Sequence, residues 1–432
     1  MYRSLIPEGK LPLATLEDIV HNFTGSKRVR YQRDLDLYRQ YGLAAFEVVV
    51  EGMPKNGERN DRPRAIMIQV GKAFIGEKYH KTQLPILLEL SAAYPIQERM
   101  HEIRNFDGSA VFATGMNQQK RAKQIQARLK PGKVAITVDV SSFDGNHRNA
   151  KLAEISRQEL ITHIDDDDVI SVLQAQDDVK MSKPGCKCSL GGVRCSGTGG
   201  TASQNKIVMI CALRTVMSGV AAEKVNYLCD GDDTIIFVDE DQLKYMDNWK
   251  QGMERLGLPT KFPGDEGVPL PTQNWWEVEF CRAHIVKTAE GSTLVKNPQD
   301  ALKTVFAQMR HISGPHVRSY LSTVGLGYSN LWAGVPVLNA LGMCLRGAGG
   351  TVNRELLAGS GLDYMMAVGS LKTVKITPLA RESFARTFGV PVSSQLRCEQ
   401  LLSQVGQALP EALDRYITAG TPRDYHHVSA CG

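Results

Sequence analysis

Between residues 133 and 140 the chain reads KVAITVDV, with Val134, Ile136 and Val138 on alternate positions. A period of two predicts a strand with one face turned to a core. A helical period follows over about 147–162. NKIVMICALRTVMSGV (205–220) is strongly apolar and predicts a helix behind a glycine-rich loop. YLC and TIIFV flank an acidic turn and read as a hairpin. KYMDNWKQGMERLG (244–257) has a helical pattern that Gly257 ends. Beyond about residue 300 the pattern is mostly helical, with SYLSTVG and PVLNALGMCLRG as amphipathic or buried pieces. No internal repeat and no long linker interrupts the series.

A length of 432 residues suffices for two or three domains and a large core. With 42% hydrophobic and 22% charged residues, the composition is that of a soluble globular protein. No apolar run approaches the roughly 18–20 residues of a spanning helix, and the N-terminus does not read as a signal peptide. Membrane attachment is therefore expected through a partner or a segment outside this sequence. Nine cysteines without a CxxC pair argue against a disulfide scaffold. Cys186, Cys188 and Cys195 match no usual zinc spacing, so the cysteines read as reduced thiols. A net charge of +5 permits a nucleic-acid partner without requiring one. SKRVRYQR (26–33), PKNGERNDRPR (54–64) and QQKRAKQIQARLK (118–130) can each be a solvated face. Their density in one third of the chain favours a polyanion.

The acidic turn lies within YLCDGDDTIIF (227–237), where Asp230, Asp232 and Asp233 surround Gly231. Asp and Gly are turn formers, so an acidic hairpin tip is one reading. Adjacent carboxylates also repel unless a cation opposes them, and a divalent ion is the other reading. A second acidic pair, Asp139 and Asp144, stands at the end of the 133–140 strand in VDVSSFDG. Strand-end and hairpin-tip carboxylates facing one another can bridge two divalent ions for an in-line phosphoryl displacement. Between the pairs, SGTGGTASQNK (196–206) opens a helix whose first amides can face phosphate. Ser196, Thr201 and Asn205 suit hydroxyl groups; equally, Thr201 or Ser203 can be an ordinary N-cap.

The order of these three segments resembles motifs A, B and C of positive-strand RNA virus polymerases. EFCRAHIV (279–286), LVKNP (294–298), NFTGSKRVRYQRDL (22–35), RPRAI (62–66) and GVPVLNALGMCLRGAG (334–349) narrow the likeness to the tombusvirus-like group. The resemblance spans about residues 20–350 and implies an α+β right-hand fold with an antiparallel palm sheet and a mostly helical thumb. It implies fingers over 1–132, palm over 133–150, an insertion over 151–190, palm again over 191–286, and thumb with tail over 287–432. Carried over by position, Asp139 and Asp232 are implied as main metal ligands, Asp233 as an auxiliary one. Two Mg2+ ions are the implied cofactor, with Mn2+ as substitute. Asp144, Ser196, Thr201 and Asn205 are implied to recognise the ribose 2′-hydroxyl. Lys261 falls where a lysine is thought to protonate pyrophosphate. Arg64 is implied to contact triphosphate or template, with Lys55, Arg62 and Lys72 as weaker companions. RNA template, nascent RNA and NTPs are the implied partners. Such polymerases often carry an upstream membrane-binding replicase region, which implies work at membrane-associated complexes in the host cytoplasm through a partner.

Several positions depart from the group's pattern. Gln69 stands where a second Arg is common, Gly145-Asn146-His147 replaces Gln-His, and Asp230 replaces Asn. Asp230 is read as a turn residue or an outer modulator, and His147 as positional. HIDDDDVI (163–170) is expected as a solvated loop, and Trp275 with Trp276 as an apolar anchor. Two competing readings are a reverse transcriptase, opposed by G-D-D and Asn205, and a silent RNA-binding palm, opposed by intact acids.

Overall fold

The computed structural model describes residues 6, 9–54, 65–141, 143–146, 150–176, 178–183, 186–191, 197–305, 312, 314–357 and 371–418. These fall into two compact units, one ending at Cys281 and the other beginning at Arg282.

The first unit opens with helices α1 (Leu16–His21) and α2 (Gly25–Tyr41), then strands β1 (Glu47–Pro54), β2 (Ala65–Ile75) and β3 (Lys78–Thr82). Helices α3 (Leu84–Met100) and α4 (Gln118–Arg128) lead to β4 (Lys133–Val140). Next come α5 (Ala150–Thr162), α6 (Asp167–Gln174), β5 (Asp178–Lys183), β6 (Cys186–Gly191) and α7 (Thr201–Val216). The unit ends with β7 (Val225–Asp230), β8 (Asp233–Asp239), α8 (Met246–Arg255), β9 (Thr260–Lys261) and β10 (Glu279–Phe280).

Two sheets organise it. One has the order β3-β2-β1-β5-β6, antiparallel but for the β1–β5 pair. The other is antiparallel throughout, in the order β7-β8-β4-β9. Ile136 and Val138 of β4, Ile236 and Val238 of β8, and Ile207, Met209 and Leu213 of α7 share one apolar core. That explains why α7 is apolar around most of its circumference: it is buried on nearly every side. Phe143 is buried in the same core and pins the turn that follows β4.

Three local expectations are refined. The helix expected from about 147 is described from Ala150, residues 147–149 lying outside the described set. The acidic run at 163–170 is a loop only over its first half: residues 163–166 connect the helices, and Asp166 caps α6 by accepting from the Val169 amide at 2.9 Å. Asp167 and Asp168 occupy that helix's first turn, where carboxylates oppose the positive end of its dipole. Asp168 also accepts from the Tyr38 hydroxyl at 2.7 Å. Thirdly, α7 begins at Thr201 with Gly200 as its cap and no side-chain capping bond, so neither Thr201 nor Ser203 is the N-cap.

The second unit carries the hairpin β11 (Ala283–Thr288) and β12 (Gly291–Lys296). Helices α9 (Pro298–Val305), α10 (Gly314–Leu331), α11 (Leu338–Arg346), α12 (Pro378–Phe388) and α13 (Val392–Thr418) complete it. Its core joins Val286 and Val295 of the hairpin to Tyr320, Val324, Leu341, Leu345 and Phe384. Val337, just before α11, has a φ of 64°, rare for a β-branched residue. Its amide donates to Glu399 at 2.9 Å, and Arg381 holds Glu399 by two bonds of 3.0 and 2.8 Å. The helical packing thus over-determines a strained backbone.

Candidate active site

The site grows from the end of the antiparallel sheet. Asp230 and Asp233 close the β7–β8 hairpin as a register pair, with Gly231 and Asp232 as its two-residue turn. Gly231 has φ +81° and Asp232 a negative φ, the pattern of a type II′ turn with glycine first. The turn therefore needs Gly231 and leaves Asp232 projecting at its tip. On the next strand, Val138 faces Thr234, so one further step of the same register sets Asp139 beside Asp233. On the other side of β4, Asp139 pairs with Lys261 of β9. Asp230, Asp233, Asp139 and Lys261 thus form a row across four strand ends. Asp139, Asp232 and Asp233 are exposed, whereas the strands behind them are buried.

Their electrostatic reach is visible on neighbouring thiols. Burial pushes the Cys229 thiol up to about 12, and Asp230 and Asp232 add to that rise. Burial also pushes Cys281 upward, with Asp233 and Asp230 reinforcing it.

Asp144, in the 3-10 turn Phe143–Asn146, meets Asn205 of α7, whose side-chain amide donates to Asp144 Oδ1 at 3.0 Å. The other amide atom, Asn205 Oδ1, is buried and has no partner among the described residues. A buried carbonyl without a donor is an unmet demand, and a ligand hydroxyl would meet it. Thr201 lies one helical turn earlier, its hydroxyl 2.9 Å from that of Thr198. Ser196, Arg64, Arg62 and Lys55 lie outside the described residues, as does His147. Lys72 is on β2, paired with Glu51 at 2.9 Å. Burial pulls the Glu51 carboxyl upward, but Lys81 and Lys72 outweigh it and hold the group below its usual range.

Two residues that the sequence reading did not single out complete the site. Asp230 Oδ2 accepts from Arg121 Nη2 at 2.5 Å, and Asp230 Oδ1 lies 3.1 Å from Lys206 Nζ. Lys206 sits on α7 with 4% of its surface exposed and donates to Thr114 Oγ1 at 2.5 Å. Arg121 also donates to the Met116 carbonyl at 3.1 Å and lies over the Phe280 ring. Asp230 is therefore a neutralised hairpin anchor, which accounts for an acid where the likeness expects Asn. A lone lysine inside the apolar run NKIVMICAL was the sequence signal, since a buried lysine needs an acid. Arg121 had none, being one cation among many in its cluster. Trp275 and Trp276 are half-buried and meet edge to face with centroids 5.3 Å apart.

Among the described residues no three His, Cys, Asp or Glu side chains form a group able to hold a metal ion alone. Mg2+ seldom uses such a cage; one or two carboxylates with substrate phosphates is its habit. The oxygen donors of Asp139, Asp232 and Asp233 at an open sheet end fit that chemistry.

The candidate site is thus an acid-edged antiparallel sheet backed by the helix that carries Asn205. The sequence profile of the viral RNA dependent RNA polymerase family matches residues 97–407, and the chain belongs to that family. It is 23% identical over 441 aligned positions to the RNA-directed RNA polymerase of groundnut rosette virus (strain MC1), covering 96% of this chain and 50% of that one. It is 26% identical over 323 positions to the putative RNA-directed RNA polymerase of barley yellow dwarf virus (isolate MAV), covering 71% and 36%. With the RNA-directed RNA polymerase of turnip crinkle virus it shares 24% over 222 positions, 50% of this chain and 28% of that one. The chain spans half the length or less of each of these relatives.

Proposed function

We propose that the chain acts as an RNA-directed RNA polymerase, extending RNA from NTPs on an RNA template and releasing pyrophosphate. The observation that carries this reading is the row of carboxylates at the sheet end, with the Asp144–Asn205 pair beside it. Asp139 and Asp232 would hold the divalent ions and Asp233 would assist. When bound, a pair of Mg2+ or Mn2+ ions would activate the attacking hydroxyl and neutralise charge on the leaving oxygens.

The remaining work falls to the chain's own side chains. The II′ turn fixes Asp232 at a rigid tip, and Arg121 and Lys206 hold that hairpin through Asp230. Asn205, Asp144 and Thr201, with Ser196, would bind the ribose 2′-hydroxyl, and a deoxyribose would leave those groups unpaired. Lys261 would give a proton to pyrophosphate. Arg64, with Lys55, Arg62 and Lys72, would meet triphosphate or template. In this reading residues 1–132 are fingers, 133–150 and 191–286 palm, 151–190 an insertion between fingers and palm, and 287–432 thumb with the C-terminal tail. No helix among the described residues is long and apolar enough to cross a membrane. In this reading the chain would work at host membranes together with an upstream replicase partner.

Extension of a self-priming hairpin RNA is the test, with NTPs and dNTPs supplied separately. Extension with NTPs is expected. Extension with dNTPs alone would make the protein a reverse transcriptase, and binding without extension a silent palm.

A further inference from the structure

A second carboxylate centre lies behind the glycine-rich loop, away from the acidic row. Glu89, on α3, is 1% exposed. Its Oε1 accepts from Gln176 Nε2 at 2.9 Å and from Gln204 Nε2 at 3.1 Å. Gln176 also donates to Gln69 Oε1 at 3.1 Å, and Gln69 donates to the Val172 carbonyl at 3.1 Å. Burial pushes its pKa upward, and Gln176, the Thr198 hydroxyl and the Gly200 and Gly199 amides oppose that rise. Among the described residues no cation pairs with it.

The loop fits this wall backbone to side chain. A Cβ at Gly200 would fall 2.6 Å from Glu89 Oε1 and 3.0 Å from Gln204 Nε2. At Gly197 it would fall 2.1 Å from Ile68 Cγ2, and the Gly197 amide donates to the Met67 carbonyl at 2.9 Å. Burying a carboxylate is expensive unless its hydrogen bonds are supplied; Gln176 and Gln204 supply those of Oε1, while Oε2 is buried with no partner among the described residues. Gln204, which binds Glu89, immediately precedes Asn205, which binds Asp144. Successive residues of α7 are therefore gripped from two sides. The grip on Gln204 fixes the rotation and depth of the helix start, and with it the placing of Asn205 and Thr201.

We propose that Glu89 is a positioning residue that holds the 197–200 loop and the start of α7 where Asn205 and Thr201 can discriminate the sugar of the incoming nucleotide. This rests on the polymerase reading above. A buried network that merely stabilises the fold would lower stability without moving sugar discrimination, and that difference is the basis of the test.

Glu89→Ala, Glu89→Gln and Gly200→Ala would be made in the full chain. Hydrogen exchange of amides 197–205 would be compared with that of α8, and NTP and dNTP efficiencies measured on a hairpin RNA. Glu89→Ala and Gly200→Ala are expected to speed exchange at 197–205 selectively. They should lower NTP efficiency by about 10- to 100-fold, the scale on which misplacement by a fraction of a bond length acts. The dNTP efficiency should fall less, so discrimination narrows. Glu89→Gln keeps one acceptor for Gln176 and Gln204 and should restore most of both readouts. If Glu89→Ala does not fold, Gly200→Ala decides, since it displaces the loop while leaving the carboxyl group intact. A folded Glu89→Ala or Gly200→Ala with an unchanged NTP-to-dNTP ratio overturns the proposal, whatever its stability. Unchanged exchange at 197–205 overturns it as well. A wild-type chain that extends no RNA rejects the polymerase reading instead, and exchange alone then decides the anchoring.

Discussion

Asn205 and Asp144 are 61 positions apart, yet the amide of one donates to the carboxylate of the other at 3.0 Å. The bond uses Asn205 Nδ2 and leaves its buried Oδ1 without a partner among the described residues. A site with an unmet acceptor favours a ligand that brings a donor, and a ribose hydroxyl is one.

Asn205→Ala and Asp144→Ala should therefore narrow the preference for NTPs over dNTPs. A polar site built for a hydroxyl discriminates because its own groups are left unpaired by the analogue. Both variants should slow NTP use more than dNTP use in single-nucleotide incorporation. An unchanged ratio would remove the pair from sugar recognition.

Asp232→Asn should abolish synthesis and leave RNA binding nearly intact. Asp232 projects from a turn whose shape depends on Gly231, and the amide preserves that shape. Template affinity comes mainly from basic side chains on phosphates, not from this tip. Filter binding and primer extension, run on one preparation, separate the two effects. Parallel loss of both would point to a folding defect.

Lys206→Met should destabilise the first unit and slow the polymerase together. It strips a buried ammonium from Asp230 and leaves the Thr114 hydroxyl without its donor. Breaking a fully buried pair costs about 3–5 kcal/mol. Asp230 is 24% exposed in its side chain and keeps Arg121, so about 1–3 kcal/mol is expected. Urea unfolding gives the number. Lys206→Met should cost less in an Asp230→Asn background than in the wild type, because the ammonium then has no carboxylate to lose. An equal cost in both backgrounds would mean that Lys206 acts through packing alone.

The hairpin, β4 and α7 were legible because each follows from neighbours in the chain: a period of two, a Gly in a turn, an apolar run. The row of acids was legible for the same reason, since each pair closes a strand. The charge partners were not. Arg121 meets Asp230 across 109 positions, and nothing near either residue announces the other. Glu89 was hidden inside an apolar helix, where one acid reads as an exposed position until the loop is folded against it. The second half of the acidic run at 163–170 misled because carboxylates that stabilise a helix N-terminus look, as a string, like a solvated loop.

In the proposed polymerase reaction Lys261 is the candidate proton donor to the leaving pyrophosphate. Its backbone pairs with Asp139, so it stands next to the acidic row by the register of the sheet and not by chance of a loop. Its ammonium lies 3.5 Å from the Glu266 carbonyl, a contact too long to hold it firmly. A triphosphate arriving at the row would offer it a stronger acceptor. If it protonates the departing pyrophosphate, Lys261→Leu should slow incorporation by about 10²–10⁴-fold with modest effect on nucleotide affinity. Lys261→Arg keeps the charge but gives up a proton poorly, so it should remain slow. Lys261→His can pass a proton and should restore part of the rate, with its optimum moved to lower pH. Single-turnover incorporation against pH for the four forms is the measurement. Arg as fast as Lys would make the residue a fixed charge. Leu as fast as Lys would make it a solvated lysine at the end of a strand.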